Sequence, residues 1–508
     1  MKRLLISLIL TTSLSLFAQE LTTDTLLFTR DYTTVLPLQV GVDYYDCVKY
    51  NSNRLIFPGD SIKFNRVYNQ LDSLSLFGKG KMNIVHIGGS HVQADVFTNQ
   101  LRTNFANIQE SMVSDRGIIL PFSAAKTNNP QNYSISYEGT WTKVQNSRPP
   151  ISSDLGITGY SITSNKSFSS ISFNLNPHNN TLWQYKKLTL LYSIKNELYE
   201  PYLVINKDTI AGIQEGDVMI YNLHSYESTG KIILDLASKH NYYYTKYQES
   251  FSSINNIVDD NIIFSNDAIN TENFEISLES DRGTTDYYTQ DSIISETDSI
   301  PTYNDSIQVI SNNVNDNDIN FTIYGLLPTT NFAGITVHSL GVNGASLRSW
   351  LRCNLFEDQL QYIQPDLAIL NIGINDANVP SKEFNAELFK QKYNELIALL
   401  YSNNPDCAII FITNNDCILR LGRKTRYTNP NGKVVQKAIY ELAQEHNAAV
   451  WDLYDIMGGY GSSKVWMNKG LINKDRIHFT INGYKLLGNL LYNSIIYAWM
   501  YKNYDYGL

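Results

Sequence analysis

The chain has 508 residues, 43% of them apolar and 18% charged, with a net charge of −9. That apolar share supports a sizeable core and excludes wholesale disorder, and at roughly 100–200 residues per domain the length suggests two to four domains. The acidic balance speaks against nucleic acid as a partner, because phosphate binding needs a basic face.

Lys2 and Arg3 precede an apolar run from Leu4 to Phe17, and Ala18 supplies a small residue before Gln19-Glu20. This reads as a secretory signal peptide over residues 1–18. The run is shorter than the ~20 residues that a spanning helix needs. No cysteine lies near the cleavage position to carry a lipid anchor, and no later stretch is apolar enough to cross a membrane. The expectation is therefore an exported protein, periplasmic or extracellular, without a membrane span after cleavage. Residues 19–60 form an N-terminal extension to which the sequence assigns no role.

From Ser61 onward Ile62, Phe64, Val67, Leu71 and Leu74 recur at helical spacing up to Gly78 and Gly80, predicting an amphipathic helix. "NIVHI" then reads as a short buried strand, "GGS" as a tight turn, and "VQADVFTNQLRTNF" as a helix anchored by Val96, Leu101 and Phe105. Between about 126 and 331 the composition shifts towards Asn, Ser, Thr, Tyr and Asp. "YSISYEGTWTKV", "SFSSISFNL" and "GKIILDLAS" alternate with period two, as half-buried strands do. Several such strands at close spacing suggest a β-sandwich or jelly roll. The polar stretch 284–306 reads as a long loop or a disordered insertion.

After Phe332 strands and helices alternate. "ITVHSLGVNG", "DLAILNIGIND", "CAIIFITNND" and "AAVWDLYDIM" are strands with their turns; "FNAELFKQKYNELIALLYSN", "KVVQKAIYELAQEHN" and the long segment from Thr480 are helices. This alternation implies a parallel sheet covered on both faces. One α/β domain, 61–125 and 332–508, is thus expected to be split by a β-rich insertion at 126–331. The four cysteines, Cys47, Cys353, Cys407 and Cys417, are too sparse for a disulfide framework and contain no CxxC pair. One disulfide is compatible with an oxidising compartment, but Cys407 and Cys417 flank an apolar strand and read better as buried thiols.

Four constellations carry chemistry. Ser90, in "IVHIGGSHVQAD", follows a strand and a glycine turn and opens a helix. Sites in open α/β sheets form at the carboxyl ends of strands, and a helix N-terminus favours an oxyanion; the same serine also suits a plain helix cap. In "LNIGINDAN", Asn375 can donate into that crevice, or it can make an ordinary Asn-Asp turn. In "LGVNGASL", Gly344 can offer a backbone N–H or only shape a turn. In "KDRIHFTINGYKLL", Asp475 and His478 stand close enough for the acid to orient the imidazole, the alternative being a surface Asp and a capping His.

Taken in order, Ser90, Gly344, Asn375 and the Asp475-x-x-His478 pair beside a C-terminal helix resemble the SGNH (GDSL-like) hydrolases. The resemblance covers about 80–125 and 332–500. It implies a flavodoxin-like, three-layer α/β domain with a parallel sheet, interrupted by an inserted β-sandwich-like domain. It further implies Ser90 as nucleophile, His478 as general base, Asp475 as its orienting acid, and the Ser90 N–H, Gly344 N–H and Asn375 side chain as oxyanion hole. No metal or organic cofactor is needed. "GGSHVQADVFTNQLRTNF" followed by "SDRGIILPF" is similar to the peptidoglycan O-acetylesterase branch, which carries a β-rich, carbohydrate-binding-like domain in the matching place. Trp141 and Trp183 are the aromatics offered for stacking on sugar rings, with core packing as the other reading. The family's first block usually reads Gly-Asp-Ser, whereas this chain has Gly88-Gly89-Ser90. The implied function is an exported serine esterase acting on an O-acylated glycan such as peptidoglycan. The alternatives are a glycan O-acetyltransferase using the same triad and a non-catalytic glycan-binding protein.

Overall fold

A computed structural model describes residues 38–109, 112–178, 183–237, 319–421 and 425–501. The signal-peptide expectation at 1–18 and the polar stretch 284–306 lie outside these residues. Residues up to Asp235 and from Ile319 belong to one compact unit; of the other unit, Leu236–Asp318, only Leu236 and Ala237 are described.

The strands in chain order are β1 (Leu55–Ile56), β2 (Lys81–Gly88), β3 (Ser134–Glu138), β4 (Thr142–Gln145), β5 (Tyr160–Ser164), β6 (Ser170–Asn174), β7 (Tyr185–Ser193), β8 (Tyr199–Ile205), β9 (Asp208–Ile210), β10 (Ile213–Glu215), β11 (Val218–Glu227), β12 (Thr229–Leu236), β13 (Phe321–Thr329), β14 (Gly334–Gly341), β15 (Leu367–Asn371), β16 (Ala408–Ile412), β17 (Ile418–Leu421), β18 (Thr425–Thr428) and β19 (Ala449–Trp451). The helices are α1 (Phe64–Phe77), α2 (Ser90–Gln93), α3 (Val96–Ala106), α4 (Leu347–Trp350), α5 (Phe356–Leu360), α6 (Ala386–Asn403), α7 (Gly432–His446), α8 (Leu453–Ile456), α9 (Ser462–Asn468) and α10 (Ile481–Met500).

The central sheet has the order β1-β19-β16-β15-β2-β14. Its members are parallel except β1, which runs antiparallel to β19. β16 is buried along its whole length, as a strand covered on both faces must be. Alternate residues feed two layers. Ile84, Ile369 and Ile410 pack with Val67 and Leu71 of α1, Leu101 of α3 and Leu487 of α10. On the other face Phe411 meets Tyr393 of α6 edge-on at 5.5 Å. This is the expected three-layer arrangement. No helix of the described residues is long and apolar enough to cross a membrane.

Two antiparallel sheets occupy most of the described stretch between α3 and β14, with orders β10-β11-β7-β13-β5-β4 and β3-β6-β12-β8-β9. Side chains cross between them. The Tyr185 ring lies 5.7 Å from that of Phe173, its hydroxyl donates to the Thr229 carbonyl, and the Tyr221 hydroxyl donates to the Pro201 carbonyl. Trp141 and Trp183 are 3% and 4% exposed, so both are packing residues and neither offers a face to a sugar.

Other details differ from the sequence reading. Ile62 is 63% exposed and precedes α1, which starts at Phe64. The helix expected after Ser90 breaks at Asp95, whose φ of 51° ends α2 and starts α3. A buried ionic knot holds that break: Asp95 accepts from Arg102 at 3.2 Å and from Arg116 at 2.7 Å, all three side chains being 2% exposed or less. The unassigned extension has a role as well. Leu55 and Ile56 add β1 to the sheet edge, and Val40 exchanges two hydrogen bonds with the Asn493 side chain of α10. All four cysteines are free, and burial pushes the Cys407 and Cys417 thiols up to about 12.

Candidate active site

Three strand ends lie level. Gly341 of β14 and Asn371 of β15 both pair with Gly88 of β2. The turns that follow them carry Gly344, Asn375 and Ser90, so parallel pairing gathers at one edge residues that are far apart in the chain. The approach is tight. A Cβ at Gly341 would stand 2.1 Å from the Gln93 nitrogen, so this strand end admits only glycine beside α2.

Ser90 Oγ lies 2.8 Å from His478 Nε2, and His478 Nδ1 lies 2.7 Å from Asp475 Oδ2. The loop bearing the last two is braced: Asn473 N–H donates to the His478 carbonyl, Asn473 Nδ2 donates to the Phe479 carbonyl, and Ile472 bridges to Phe479. The second oxygen of Asp475 accepts from the Ile477 and His478 N–H groups at 2.9 and 3.0 Å. Partial burial pushes the Asp475 carboxyl up, but the hydrogen bond from His478 and the two backbone N–H groups outweigh it and hold the acid below its ordinary range. An ionised carboxylate accepts only, so His478 donates to it through Nδ1–H, and Nε2 is the ring nitrogen that faces the Ser90 hydroxyl.

The Asn375 Nδ2 donates to the Ala345 carbonyl at 2.8 Å. An amide nitrogen has two hydrogens, so one ties down the neighbouring turn and the other remains for a ligand. Asn375 also borders the serine turn, its Nδ2 standing 3.4 Å from where a Cβ of Gly89 would be. Gly344 is exposed, with φ of 76°. Asp376 accepts from the Leu347 N–H at the start of α4, and burial raises its carboxyl above the usual range. The structure thus brings Ser90, His478 and Asp475 into one hydrogen-bonded chain and sets Gly344 and Asn375 on the two adjoining turns.

Two further residues of the site lie in the serine block, where the sequence assigns them no role. His91 lies beneath His478 at a ring separation of 5.6 Å and shares a 2.8 Å hydrogen bond with the Tyr484 hydroxyl of α10. Burial, helped by the nearby His478, lowers its pKa to about 3, so it packs as a neutral ring. Gln93 is 3% exposed; its Oε1 accepts from the Asn343 N–H at 2.5 Å and from the Tyr160 hydroxyl at 3.1 Å. The sequence signal for both residues is their place in the "GGSHVQAD" block within one turn of Ser90.

Residues 318–486 match the family described as GDSL-like Lipase/Acylhydrolase. That stretch contains Gly344, Asn375, Asp475 and His478; Ser90 comes from outside it. No curated protein matches the chain by sequence. A solved structure of a peptidoglycan O-acetylesterase is similar in fold, with a TM-score of 0.59 and 17% identity, over 88% of this chain and 99% of the other. An acetyl xylan esterase matches 31% of this chain and 78% of its own at 19% identity and a TM-score of 0.24. A lipase/acylhydrolase from Enterococcus faecalis matches 33% of this chain and 77% of its own at 22% identity and a TM-score of 0.25.

Proposed function

We propose that this chain, which carries a GDSL-like lipase/acylhydrolase domain over residues 318–486, is a serine esterase that uses Ser90, His478 and Asp475. The observation that carries the reading is the continuous hydrogen-bonded chain from Ser90 Oγ through both ring nitrogens of His478 to Asp475. His478 Nε2 takes the proton as Ser90 Oγ bonds to the acyl carbon, and the carbonyl electron pair moves onto oxygen. The N–H groups of Ser90 and Gly344 and the free hydrogen of Asn375 receive that oxyanion. Collapse breaks the bond to the alcohol oxygen, which leaves with the proton held by His478. Water, deprotonated by the same histidine, then attacks the acyl-serine, and acid and free serine are released.

The substrate we infer is an O-acetyl or similar ester on a cell-wall or surface glycan. Two things support it: the similar fold, over most of both chains, of a peptidoglycan O-acetylesterase, and the basic-then-apolar pattern of residues 2–18, which suits export to the periplasm or beyond. Residues 126–331 are read as a β-rich domain inserted into the hydrolase domain of 61–125 and 332–508. Any contact of that insertion with sugar must come from side chains other than Trp141 and Trp183, which are buried.

The test compares purified wild type with Ser90→Ala for acetate release from a simple acetyl ester and from O-acetylated peptidoglycan. Loss of about 10⁴-fold or more in turnover is expected for the variant. The wild type should favour the glycan. A folded wild type that releases acetate from neither substrate would remove the esterase reading.

A further inference from the structure

The oxyanion donor assigned to Gly344 sits on a peptide that could face two ways. Ala345 N–H donates to the Val342 carbonyl at 3.0 Å, closing a four-residue turn with Asn343 and Gly344 at its centre. Only Gly344 of these two has positive φ, at 76°. This is the signature of a type II turn, which differs from type I mainly by a flip of the central peptide. That central peptide joins the Asn343 carbonyl to the Gly344 N–H. In a trans peptide the two groups point in opposite directions, so whatever holds the carbonyl also aims the N–H.

Ser147 holds it. Its Oγ donates to the Asn343 carbonyl at 2.8 Å, and the same oxygen accepts from Gln145 Nε2 at 2.7 Å. The Gln145 donor occupies a lone pair of the hydroxyl and leaves its hydrogen for the carbonyl. Gln145 is 5% exposed and ends β4, which fixes the serine from behind. On the other side of Asn343, Gln93 takes its N–H. Gly344 has no side chain of its own to resist a flip, and among the described residues other than its chain neighbours only Ser147 Oγ, at 4.0 Å, comes near where its Cβ would stand.

We propose that Ser147 is a positioning residue: its hydroxyl locks the Asn343–Gly344 peptide in the orientation that turns the Gly344 N–H into the oxyanion hole. The hydrogen bond also polarises that amide and makes it a better donor. The strand pair β4–β5 thus acts on the chemistry from outside the matched family domain. The inference rests on the esterase reading above.

The experiment measures kcat and KM for an acetyl ester, and inhibition by a phenylboronic acid that forms a tetrahedral adduct on the nucleophile. The proteins are wild type, Ser90→Ala, Ser147→Ala and Ser147→Thr. Ser147→Ala is expected to lower kcat about tenfold, the scale of one neutral hydrogen bond, with KM within twofold and boronate affinity reduced by a similar factor. Ser147→Thr keeps the hydroxyl and should return kcat to within about threefold of wild type. If Ser147→Ala does not fold, Ser147→Cys, a weak donor of similar size, carries the same expectation. Wild-type kcat in Ser147→Ala, or equal damage in the alanine and threonine variants, overturns the proposal. If Ser90→Ala is inactive in that case, the esterase reading stands without it. A folded wild type without esterase activity overturns both.

Discussion

The parallel sheet and the antiparallel sheets contribute to the site in different ways. The carboxyl edge of the parallel sheet supplies the groups proposed to react, because register brings Gly88, Gly341 and Asn371 level and the next turns converge. The antiparallel part supplies restraints: Tyr160 of β5 donates to Gln93, and Gln145 and Ser147 hold the turn that carries Gly344. The two kinds of contribution should separate in experiment. Loss of a reacting group should cost far more turnover than loss of a restraint, and the electrostatic strain of buried ionisable groups should sit where the reacting edge is built.

The sharpest test of this separation sets Asn375→Ala against the Ser147 series. Asn375 is assigned a direct donor role, and removing one oxyanion donor costs roughly 10²–10³ in turnover. The same residue also ties down the Ala345 carbonyl at 2.8 Å, so the variant should fold with a loss of about 1 kcal/mol in stability while kcat falls by that factor. Near-normal turnover would take Asn375 out of the mechanism. A fall no larger than that of Ser147→Ala would erase the distinction between reacting groups and restraints.

The difference also explains what could be read from the sequence. Ser90 with its glycine turn, Asn375 in its strand-end turn and the Asp475–His478 pair are local patterns, because each occupies one strand end or one loop. The alternation of strands and helices after Phe332 was legible for the same reason: apolar periodicity follows directly from burial on both faces. Ser147 could not be found this way. It acts on Asn343, 196 residues further along, and "QNSRPP" has no periodicity that would single it out. The break at Asp95 was hidden because the arginine that pairs with it from outside α3, Arg116, lies beyond the helical window. Strand β1 has two residues and derives its identity from pairing with β19 across the sheet edge. Trp141 and Trp183 show the limit from the other side: the sequence leaves both stacking and core packing open, and only their burial in the fold decides for packing.

Acid should reveal where the strain lies. His86 on β2, His338 on β14 and His91 beside Ser90 are buried, and burial lowers each pKa to about 3. All three belong to the parallel-sheet part. With folded values below the ordinary 6.5, the unfolded chain binds more protons between about pH 6.5 and 3, so stability is complete above that window and falls as pH drops through it. From pH 6.5 to 5.5 the loss should be about 1 kcal/mol per histidine, or about 3 kcal/mol together. Denaturant midpoints at the two pH values measure it. Hydrogen exchange in β2 and β14 should rise before that in β5 and β7. A flat midpoint across this interval would mean that these rings bind protons without loss of the fold.

The smallest expected effect concerns the residue in which the serine turn departs from Gly-Asp-Ser. At Gly89 φ is −96°, so positive φ does not demand glycine there. An added Cβ would meet Asn375 Nδ2 at 3.4 Å, the Ala345 carbonyl at 3.6 Å and the Val342 carbonyl at 3.9 Å, all ordinary contacts. These neighbours belong to the two turns that flank Ser90, so a methyl group would touch the proposed oxyanion side of the site without displacing it. Gly89→Ala should therefore change stability by about 1 kcal/mol or less and leave kcat within about threefold of wild type. Thermal melting and ester turnover on one preparation decide it. A loss of activity comparable to that of Asn375→Ala would instead place Gly89 among the groups that the reacting edge cannot replace, and the Gly-Gly-Ser turn would then be a requirement of this chain's chemistry.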